Sequence, residues 1–581
     1  MWEPLLNDCQ IVLIPRLGDQ ILNTRLMVEE LEVAVEVEKG ENGEISKENL
    51  SKAIKLEMDK DNEIASLLKR TMPSSRTFFL TGIFKKNISI PSSKVCKIWS
   101  NKIQIAKEVE EYNLESDHSN TVCKAKMRNP NSSKLHLAMF PWFSFGHFIP
   151  YLHLSNKLAE KGHEVSFLLP KGAQPKLEQL NQYPNLIQFF PLVVSHVDGI
   201  LPGAQTTSDV PLPLHSLFAI AFDQTRDQVE AILRAIKPDI VFHDLGYWIP
   251  ALAHQIGIKS IYYPPVTAAA HALLPTKKVT REMTVEELME VPPGYPSSKV
   301  KLRAEEVSDL TTALKIFGIG LSFRDRIITS MNDSDVIAFR AHREIEGPYC
   351  DYVAQHFGKP AMLTGTCLPE TNATQLEDKW ANWLSNFEPS SVVFCAFGSQ
   401  ITLQKEEFQE LVLGLELSGQ PFLVALTPPD GCTRIEEALP EGFQERIQGR
   451  GLLHGGWFPQ ELLLSHPSIG CFVNHCGPGT MWESLLSDCQ IVFIPRLGDQ
   501  ILNTRLMVEE LKVAVEAEKG ENSKISKENL SKAIKLVMDK DNEISVLLKR
   551  NHAKLKKILS NRDLQEEYIN NFIKGLQDLV K

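Results

Sequence analysis

The residues from Trp457 to Gln500 combine side chains and backbone that could bind a nucleotide sugar. They read WFPQELLLSHPSIGCFVNHCGPGTMWESLLSDCQIVFIPRLGDQ. The apolar run GCFVNHCG predicts a strand that leads into the helix GTMWESLLSDC, so the amides of Gly477, Gly479 and Thr480 lie at a helix N-terminus. Free amides and the helix dipole favour an anion there, in this case a diphosphate. Glycine also lets the backbone approach phosphate oxygens closely.

Side chains around this turn could supply the remaining contacts. His475, at the end of the strand, could hydrogen-bond the same phosphates, and Trp457 could stack on a base. Glu483 can accept from ribose hydroxyls, and Asp499 and Gln500 can bind sugar hydroxyls at the start of another helix. Taken singly, Trp457 is explained as a core residue, Glu483 as a charge at the N-terminus of a helix, and Asp499 as an N-cap. Their joint spacing favours a nucleotide-sugar site.

A second pair of candidate residues lies far upstream. His147 follows the apolar strand LHLAMF and its turn, and Asp244 ends the apolar strand DIVFH. An imidazole at this position can take a proton from a hydroxyl because its neutral form is well populated near pH 7. A carboxylate would hold the correct tautomer and stabilise the imidazolium. From the residues alone, a helix cap and a turn aspartate remain the commoner explanation of the pair.

The order of predicted elements indicates an α/β fold. LHLAMF, the helix FIPYLHLSNKLAEKG and HEVSFLLP form one βαβ unit, and the pattern recurs along the chain. Recurrent βαβ units imply parallel sheets with helices on both faces. We expect two Rossmann-like, doubly wound domains facing across a cleft, an acceptor-binding domain at 134–365 and a donor-binding domain at 383–560. A linker at 366–382 joins them, and 561–581 is expected to be a helix that returns to the acceptor-binding domain.

The front of the chain repeats a later segment. Residues 1–70 match residues 481–550 at a constant offset of 480, with 60 of 70 positions identical. The copy starts at the equivalent of Met481, so it lacks most of the candidate diphosphate turn and cannot form a nucleotide site alone. We interpret it as a partial duplicate, and residues 71–133 as a linker or spurious segment. A regulatory or dimerising module is the alternative.

Composition restricts the partners. The net charge of −11 argues against nucleic acid and anionic membrane surfaces. The N-terminus MWEPLLNDCQ lacks the features of a secretory signal, and no apolar stretch approaches ~20 residues, so a cytoplasmic protein is expected. Ten cysteines without a CxxC pair predict neither a disulfide framework nor a metal site. Cys476, beside His475, is interpreted as a small buried apolar residue rather than a catalytic thiol.

The stretch from Trp457 to Gln500 resembles the plant secondary-product glycosyltransferase box. That box typically reads W-x-P-Q, H, G-x-F-x-x-H-C-G, E and a final D-Q over forty-four residues. The matching positions are Trp457, Pro459, Gln460, His466, Gly470, Phe472, His475, Cys476, Gly477, Glu483, Asp499 and Gln500. The resemblance implies a GT-B fold and inverting sugar transfer from a uridine diphosphate sugar without a metal. The UDP-sugar would be a co-substrate, and no cofactor is implied.

The resemblance also implies roles for individual residues. Trp457 would stack on uracil, Glu483 would hold ribose, and Asp499 and Gln500 would hold the sugar. Ser399 in FCAFGS would touch the diphosphate. The implied UDP-sugar set is Ser399, Trp457, Phe458, Gln460, His475, Gly477, Gly479, Thr480, Glu483, Asp499 and Gln500. FPWFSFGHFIP matches the family's Gly-His-x-x-Pro turn and PDIVFHDL its acidic strand end, so His147 becomes the base and Asp244 its partner.

One departure from the family pattern bears on the substrate. Most members read HCGWNS where this chain has HCGPGT, so Pro478 and Gly479 replace Trp and Asn. The Pro-Gly-Thr form resembles the branch that adds glucose, xylose or rhamnose to flavonoid or anthocyanin glycosides. We therefore expect an O-glycosyltransferase acting on a small phenolic or its 3-O-glycoside. The alternatives are a catalytically silent UDP-sugar-binding protein, disabled by the N-terminal fusion, and an epimerase or hydrolase on the same fold.

Overall fold

The computed structural model describes two parts of the chain. One is a pair of short strands near the N-terminus, and the other is residues 134–581. Within the latter range, the residues that the structure leaves undescribed are 281, 368–375, 399–400, 457, 497 and 521–523. The chain divides into two compact units, Met1–Arg128 and Asn129–Lys581.

In the first unit, two short strands come from the repeated segment. β1 (Val12–Leu13) and β2 (Val35–Glu36) pair in parallel, with Val12 opposite Val35. The equivalent residues of the second unit, at the offset of 480, pair in the same register, with Val492 opposite Val515. The repeated sequence therefore forms the same local strand pairing at both positions.

The second unit contains two parallel sheets. The strands of its first sheet are β3 (His136–Phe140), β4 (Glu164–Pro170), β5 (Ile187–Leu192), β6 (Ile240–His243), β7 (Lys259–Tyr262), β8 (Val336–Phe339) and β9 (Ala361–Leu363). Among the described residues these seven strands lie in the order β5-β4-β3-β6-β7-β8-β9. β6 and β8 are buried along their whole length, as expected for parallel strands covered by helices on both faces.

Helices connect these strands. The α-helices of this domain are α1 (Phe145–Glu160), α2 (Gln174–Glu178), α3 (His215–Asp223), α4 (Arg226–Ile236), α5 (Ile249–Ile256), α6 (Ala268–Leu273), α7 (Val285–Met289), α8 (Ser308–Thr312), α9 (Phe323–Asp333) and α10 (Arg343–Phe357). Short 3-10 turns occur at Lys171–Ala173, Thr207–Asp209, Leu212–Leu214 and Ala304–Glu306. We call this part the acceptor-side domain.

The second sheet follows in the chain. Its strands are β10 (Val392–Ala396), β11 (Phe422–Ala425), β12 (Gly451–His454), β13 (Ile469–Asn474), β14 (Gln490–Phe493) and β15 (Val515–Glu516). In the described part of the chain, these six strands lie in the order β12-β11-β10-β13-β14-β15. We call this part the donor-side domain. The two parallel sheets confirm the α/β class predicted from the sequence.

The remaining helices belong to the donor-side domain and the C-terminus. They are α11 (Asp378–Leu384), α12 (Lys405–Ser418), α13 (Phe443–Arg446), α14 (Gln460–Leu464), α15 (Pro478–Leu486), α16 (Gly498–Arg505), α17 (Lys527–Met538), α18 (Glu543–Leu559) and α19 (Arg562–Leu579). A 3-10 turn covers Ile435–Ala438, and a π-helical turn, Leu506–Glu510, continues α16. In the part of the chain that the structure describes, no helix is both long and apolar enough to cross a membrane.

The C-terminal helix α19 packs on the acceptor-side domain. The ring of Phe572 lies 6.2 Å from that of Phe242 on β6. The Tyr568 hydroxyl donates to Glu344 at 2.8 Å and accepts from the Arg343 amide at 2.7 Å. The end of the chain thus returns from the donor-side domain to the first sheet, which holds the two domains together.

A buried ion pair braces the loop beside β6. Arg326 is fully buried and its guanidinium donates to both oxygens of Asp223, at 2.7 and 2.6 Å. The same group donates to the carbonyls of Leu245 at 3.0 Å and Phe317 at 2.8 Å. A buried charge needs such partners, because unpaired it would be costly. Arg326 therefore fixes the backbone that follows β6.

Asp223→Ala is expected to destabilise the protein by about 3–5 kcal/mol, because it leaves the Arg326 charge buried without its partner. The measurement is the free energy of unfolding in urea. The matched control is Glu230→Ala, which removes the Arg234–Glu230 pair on the exposed face of α4. Such an exposed pair is worth about 0–1 kcal/mol. Equal losses for the two variants would contradict the bracing role of Arg326.

Candidate active site

Two neighbouring strands of the first sheet bring His147 and Asp244 together. β3 and β6 pair in parallel with Phe140 opposite His243, so the chain segments that follow them start side by side. Ser144 caps α1, its side chain accepting from the amide of Gly146, and this puts His147 in the first turn. Asp244 follows β6 directly. The His147 Nδ1 atom lies 2.6 Å from the Asp244 Oδ2 atom.

The two oxygens of Asp244 have separate partners. Oδ1 accepts from the amides of Trp142, at 2.8 Å, and Leu245, so only Oδ2 faces the imidazole. The Asp244 side chain is 1% exposed and that of His147 21%. A carboxylate held in this way accepts from Nδ1–H and leaves Nε2 of His147 as the basic nitrogen. This arrangement can remove a proton from a hydroxyl at Nε2.

The turn between β13 and α15 is open for a ligand. Gly477 is the N-cap of α15, and the first helical bond runs from the Met481 amide to the Gly477 carbonyl at 2.8 Å. The amides of Gly479 and Thr480 precede that bond, so the helix itself gives them no partner. A Cβ atom built on Gly479 would meet nothing within 4 Å. These features fit a diphosphate at the helix N-terminus.

His475 lies against this turn. A Cβ atom on Gly477 would come within 2.5 Å of its Nε2 atom, and one on Gly398 within 3.2 Å of its Cε1 atom. Burial lowers the pKa of the His475 imidazole to about 4, so the ring is neutral at pH 7. Its Nδ1 atom is buried and has no hydrogen-bond partner in the described structure. His475 can therefore act as a neutral hydrogen-bonding group beside the phosphates.

Gln460 contacts Glu483, the residue that the family resemblance assigns to ribose. The Gln460 side-chain amide donates to Oε2 of Glu483, joining the first turn of α14 to α15. Burial raises the pKa of the Glu483 carboxyl to about 7, and nearby Glu461 raises it further. Gln460 and the Arg340 guanidinium oppose these effects. A ligand hydroxyl that donates to Glu483 would stabilise the charged carboxylate.

Glu483→Gln is expected to change the pH dependence of stability. The pKa of Glu483 rises from an ordinary 4.5 to about 7 on folding, so the folded protein binds this proton more tightly than the unfolded chain. The contribution of Glu483 to stability is therefore present at acid pH and is lost as the pH rises toward 7. The melting temperature of the variant relative to wild type should increase between pH 5 and pH 8. A constant difference across this range would contradict the assignment.

Asp499 and Gln500 open α16. Gln500 is buried, and its Oε1 atom accepts from the Arg496 amide at 3.0 Å. Burial raises the pKa of the Asp499 carboxyl to about 6, although His147 and the side-chain amide of Asn503 both lower it. Asp499, which the family resemblance assigns to the sugar, thus interacts electrostatically with His147 of the acceptor-side domain.

Two predicted site residues, Ser399 and Trp457, lie outside the described residues. Phe458 is buried, with its ring 4.4 Å from that of Trp380. Thr480 is 7% exposed, and its carbonyl accepts from the Ser484 hydroxyl at 2.6 Å within α15. Burial raises the pKa of the Cys476 thiol well above its ordinary value, which fits the interpretation of Cys476 as a small buried residue.

Sequence reasoning missed Arg340, which follows β8. Arg340 is 3% exposed and its Nη2 atom has no hydrogen-bond partner in the described structure. It lowers the pKa values of both Glu461 and Glu483, the second of which the family resemblance assigns to ribose. The available signal was an arginine placed directly after the buried strand VIAF, at the carboxyl end where ligands bind in parallel sheets.

Comparisons with known proteins identify the family of this chain. A family model described as UDP-glucoronosyl and UDP-glucosyl transferase matches residues 350–565. UDP-glycosyltransferase 79B6 from Arabidopsis thaliana is 50% identical over 450 residues, which are 77% of this chain and 98% of that protein. Anthocyanidin 3-O-glucoside 2'''-O-xylosyltransferase from the same plant is 50% identical over 459 residues, or 78% of this chain and 98% of that protein.

Solved structures show the same architecture. The crystal structure of Arabidopsis thaliana UGT89C1 complexed with UDP-L-rhamnose has a TM-score of 0.62 at 21% identity, covering 77% of this chain and 100% of that chain. The crystal structure of Glycyrrhiza uralensis UGT73P12 complexed with glycyrrhetinic acid 3-O-monoglucuronide has a TM-score of 0.64 at 20% identity. The match covers 77% of this chain and 96% of that chain. The fold is GT-B. The chain belongs to the plant UDP-glycosyltransferase family and is an enzyme with that activity.

Proposed function

We propose that this enzyme transfers a sugar from a UDP-sugar to a hydroxyl of a flavonoid or anthocyanin glycoside, with inversion at the anomeric carbon. The observation that carries the proposal is the contact between Nδ1 of His147 and Oδ2 of Asp244, at 2.6 Å, in the acceptor-side domain. The substrate class is supported by the 50% identity to the anthocyanidin 3-O-glucoside xylosyltransferase. It is also supported by the HCGPGT sequence of the diphosphate turn.

The reaction is a single displacement. His147 Nε2 takes the proton of the acceptor hydroxyl while that oxygen attacks the anomeric carbon from the face opposite the diphosphate. The bond between the anomeric carbon and the diphosphate oxygen breaks, and its electron pair leaves with UDP. Asp244 stabilises the imidazolium that results. The amides at the start of α15 and the neutral His475 stabilise the charge on the departing diphosphate.

Exposed apolar side chains of the acceptor-side domain support a flat organic acceptor. The Tyr247 hydroxyl, three residues beyond Asp244, donates to the carbonyl of Ile319 at 3.4 Å, which connects the dyad loop to the segment 316–321. Ile316 and Ile319 in that segment are 61% and 49% exposed. Exposed apolar side chains are typical of sites for organic ligands. Phe218 and Phe222 of α3 instead pack into the core against Trp142.

The test is product formation by the full-length protein, followed by mass spectrometry. UDP-glucose, UDP-xylose and UDP-rhamnose are each offered with a flavonol and with its 3-O-glucoside. The proposal predicts a product with the glucoside, with one sugar added to the existing sugar. Products from the aglycone alone would overturn the sugar-on-sugar assignment, and the mass added by each donor identifies the sugar transferred.

A further inference from the structure

The buried ion pair between Asp223 and Arg326 lies between two parts of the acceptor-side domain that the proposed function uses. Asp223 is the last residue of α3, and Arg326 belongs to α9. One neighbour is the loop that follows β6 and begins with Asp244, here called the dyad loop. The other is the segment 316–321, which carries two exposed isoleucines and is here called the apolar segment. The ion pair makes hydrogen bonds to both parts.

Arg326 holds the backbone of the dyad loop. Its Nη1 atom donates to the carbonyl of Leu245 at 3.0 Å, and its guanidinium lies over the ring of Tyr247, 4.7 Å from the centroid. The amide of the same Leu245 donates to Oδ1 of Asp244. Arg326 therefore fixes a residue that keeps Oδ1 of Asp244 engaged and leaves Oδ2 for His147.

The same ion pair holds the backbone of the apolar segment. The Nη2 atom of Arg326 donates to the carbonyl of Phe317 at 2.8 Å, and Oδ2 of Asp223 accepts from the amide of Ile319 at 2.8 Å. Between these two residues, Gly318 has a φ of +78°, and a Cβ atom built on it would collide with both charged groups of the pair. The apolar segment therefore lies directly on the ion pair, too close for a side chain to fit.

Two further contacts connect the apolar segment to the dyad. The Tyr247 hydroxyl of the dyad loop donates to the carbonyl of Ile319 at 3.4 Å. The ring of Phe317 lies 5.6 Å from that of Trp142, whose amide donates to Oδ1 of Asp244 at 2.8 Å. Because close-packed interiors transmit a displacement, a shift of the ion pair would move both the dyad loop and the apolar segment.

We propose that Asp223 and Arg326 are positioning residues for the sugar transfer, which hold the base and the apolar surface for the acceptor in one fixed relation. Their effect passes through Leu245 to the dyad and through Phe317 to the acceptor. This inference rests on the proposed function, which supplies the roles of the dyad and of the apolar segment. The effect on rate should be large, because a misplacement of about 1 Å can lower the rate of an enzyme about a hundredfold.

The first experiment adds one methyl group against the ion pair. Gly318→Ala places a Cβ atom on the two charged groups, whereas Gly320→Ala, at the same φ of +78°, places one where nothing lies within 4 Å. Both variants carry the strain of a left-handed alanine, so the difference between them reports on the ion pair. With a flavonol 3-O-glucoside as acceptor, kcat/KM should be about tenfold to a hundredfold lower in Gly318→Ala than in Gly320→Ala. The dissociation constant of UDP should differ by less than about twofold.

The second experiment removes both charges while keeping the fold. Asp223→Leu combined with Arg326→Met replaces the pair by apolar side chains of similar size, which often leaves stability unchanged because no unpaired charge remains. This double variant lacks the hydrogen bonds to Leu245, Phe317 and Ile319. Its kcat/KM for the acceptor should fall by about tenfold to a hundredfold, with UDP binding within about twofold of wild type. If it does not fold, Arg326→Lys takes its place, because lysine keeps the charge but lacks the planar fork that reaches both carbonyls.

The control for lost stability is Leu233→Ala, which truncates a fully buried side chain of α4. It should lower the melting temperature and keep wild-type kcat/KM. Wild-type kcat/KM in the double variant, or in Arg326→Lys where that is used, would overturn the proposal. Equal kcat/KM in Gly318→Ala and Gly320→Ala, or a matching loss in Leu233→Ala, would also overturn it. His147→Ala is measured in parallel, because wild-type turnover in that variant would overturn the proposed base rather than the positioning role.

Discussion

His147→Ala is expected to lower kcat by about 10²–10⁴-fold, the usual contribution of a positioned general base. The imidazole lies in the first turn of α1 with its Nδ1 atom bound by Asp244, and no other assigned group would take the proton of the acceptor hydroxyl. Binding of UDP should remain nearly unchanged, because the diphosphate turn lies in the donor-side domain. Initial rates at saturating donor, together with a UDP titration, measure both effects.

The control for this variant is His254→Ala, which removes an exposed histidine of α5 from the same domain. It should keep wild-type kcat. Turnover of His147→Ala within a few-fold of wild type would rule out His147 as the base. A loss of UDP binding in the same variant would instead indicate that the substitution disturbs the fold.

Asp244→Asn is expected to cause a loss of kcat comparable to that of His147→Ala while leaving the structure intact. Oδ1 of Asp244 accepts from the Trp142 and Leu245 amides, so an asparagine would keep its oxygen there and turn its NH2 group toward His147. That group would donate to Nδ1 and force the proton of the neutral imidazole onto Nε2. The nitrogen facing the acceptor could then no longer accept a proton.

Two measurements separate this tautomer effect from unfolding. The melting temperature of Asp244→Asn should stay close to that of wild type, since its backbone hydrogen bonds persist. Asp244→Ala should melt lower, because it leaves the two buried amides without an acceptor. If Asp244→Asn retained most of its turnover, the orienting role of Asp244 would be wrong.

Much of the fold could be predicted from the sequence because its signals are local. Apolar runs such as LHLAMF and SVVFCAFGS alternate with amphipathic stretches, and this alternation predicts parallel sheets without knowledge of distant contacts. The diphosphate turn could equally be predicted from the sequence, since its glycines and His475 fall within a few positions of each other. The pairing of His147 with Asp244, 97 positions apart, was one of two interpretations of the residues and was favoured by the family resemblance; in the structure the two side chains are in contact.

Long-range contacts, both between the domains and within one domain, were not predictable in this way. Thr267 and Asn503, which hydrogen-bond between the domains, are 236 positions apart, and neither stands in a pattern that points to the other. Arg326 and Asp223 look like ordinary charged residues of amphipathic helices until packing buries both. Arg340 carried a weak signal, but Glu461 and Glu483, whose pKa values it lowers, lie in the donor-side domain. These pairs form only in the tertiary structure, and the local sequence pattern around each residue does not indicate its partner.

The anomeric configuration of the transferred sugar tests the central claim most directly. Displacement by a hydroxyl that His147 deprotonates must occur from the face opposite the diphosphate, so the α-linked glucose of UDP-glucose should appear in the product as a β-glucoside. The proton coupling constant of the anomeric position, read by NMR on the product of full-length protein, distinguishes the two configurations. A β-linked product is the predicted result, and an α-linked product would contradict the single-displacement mechanism.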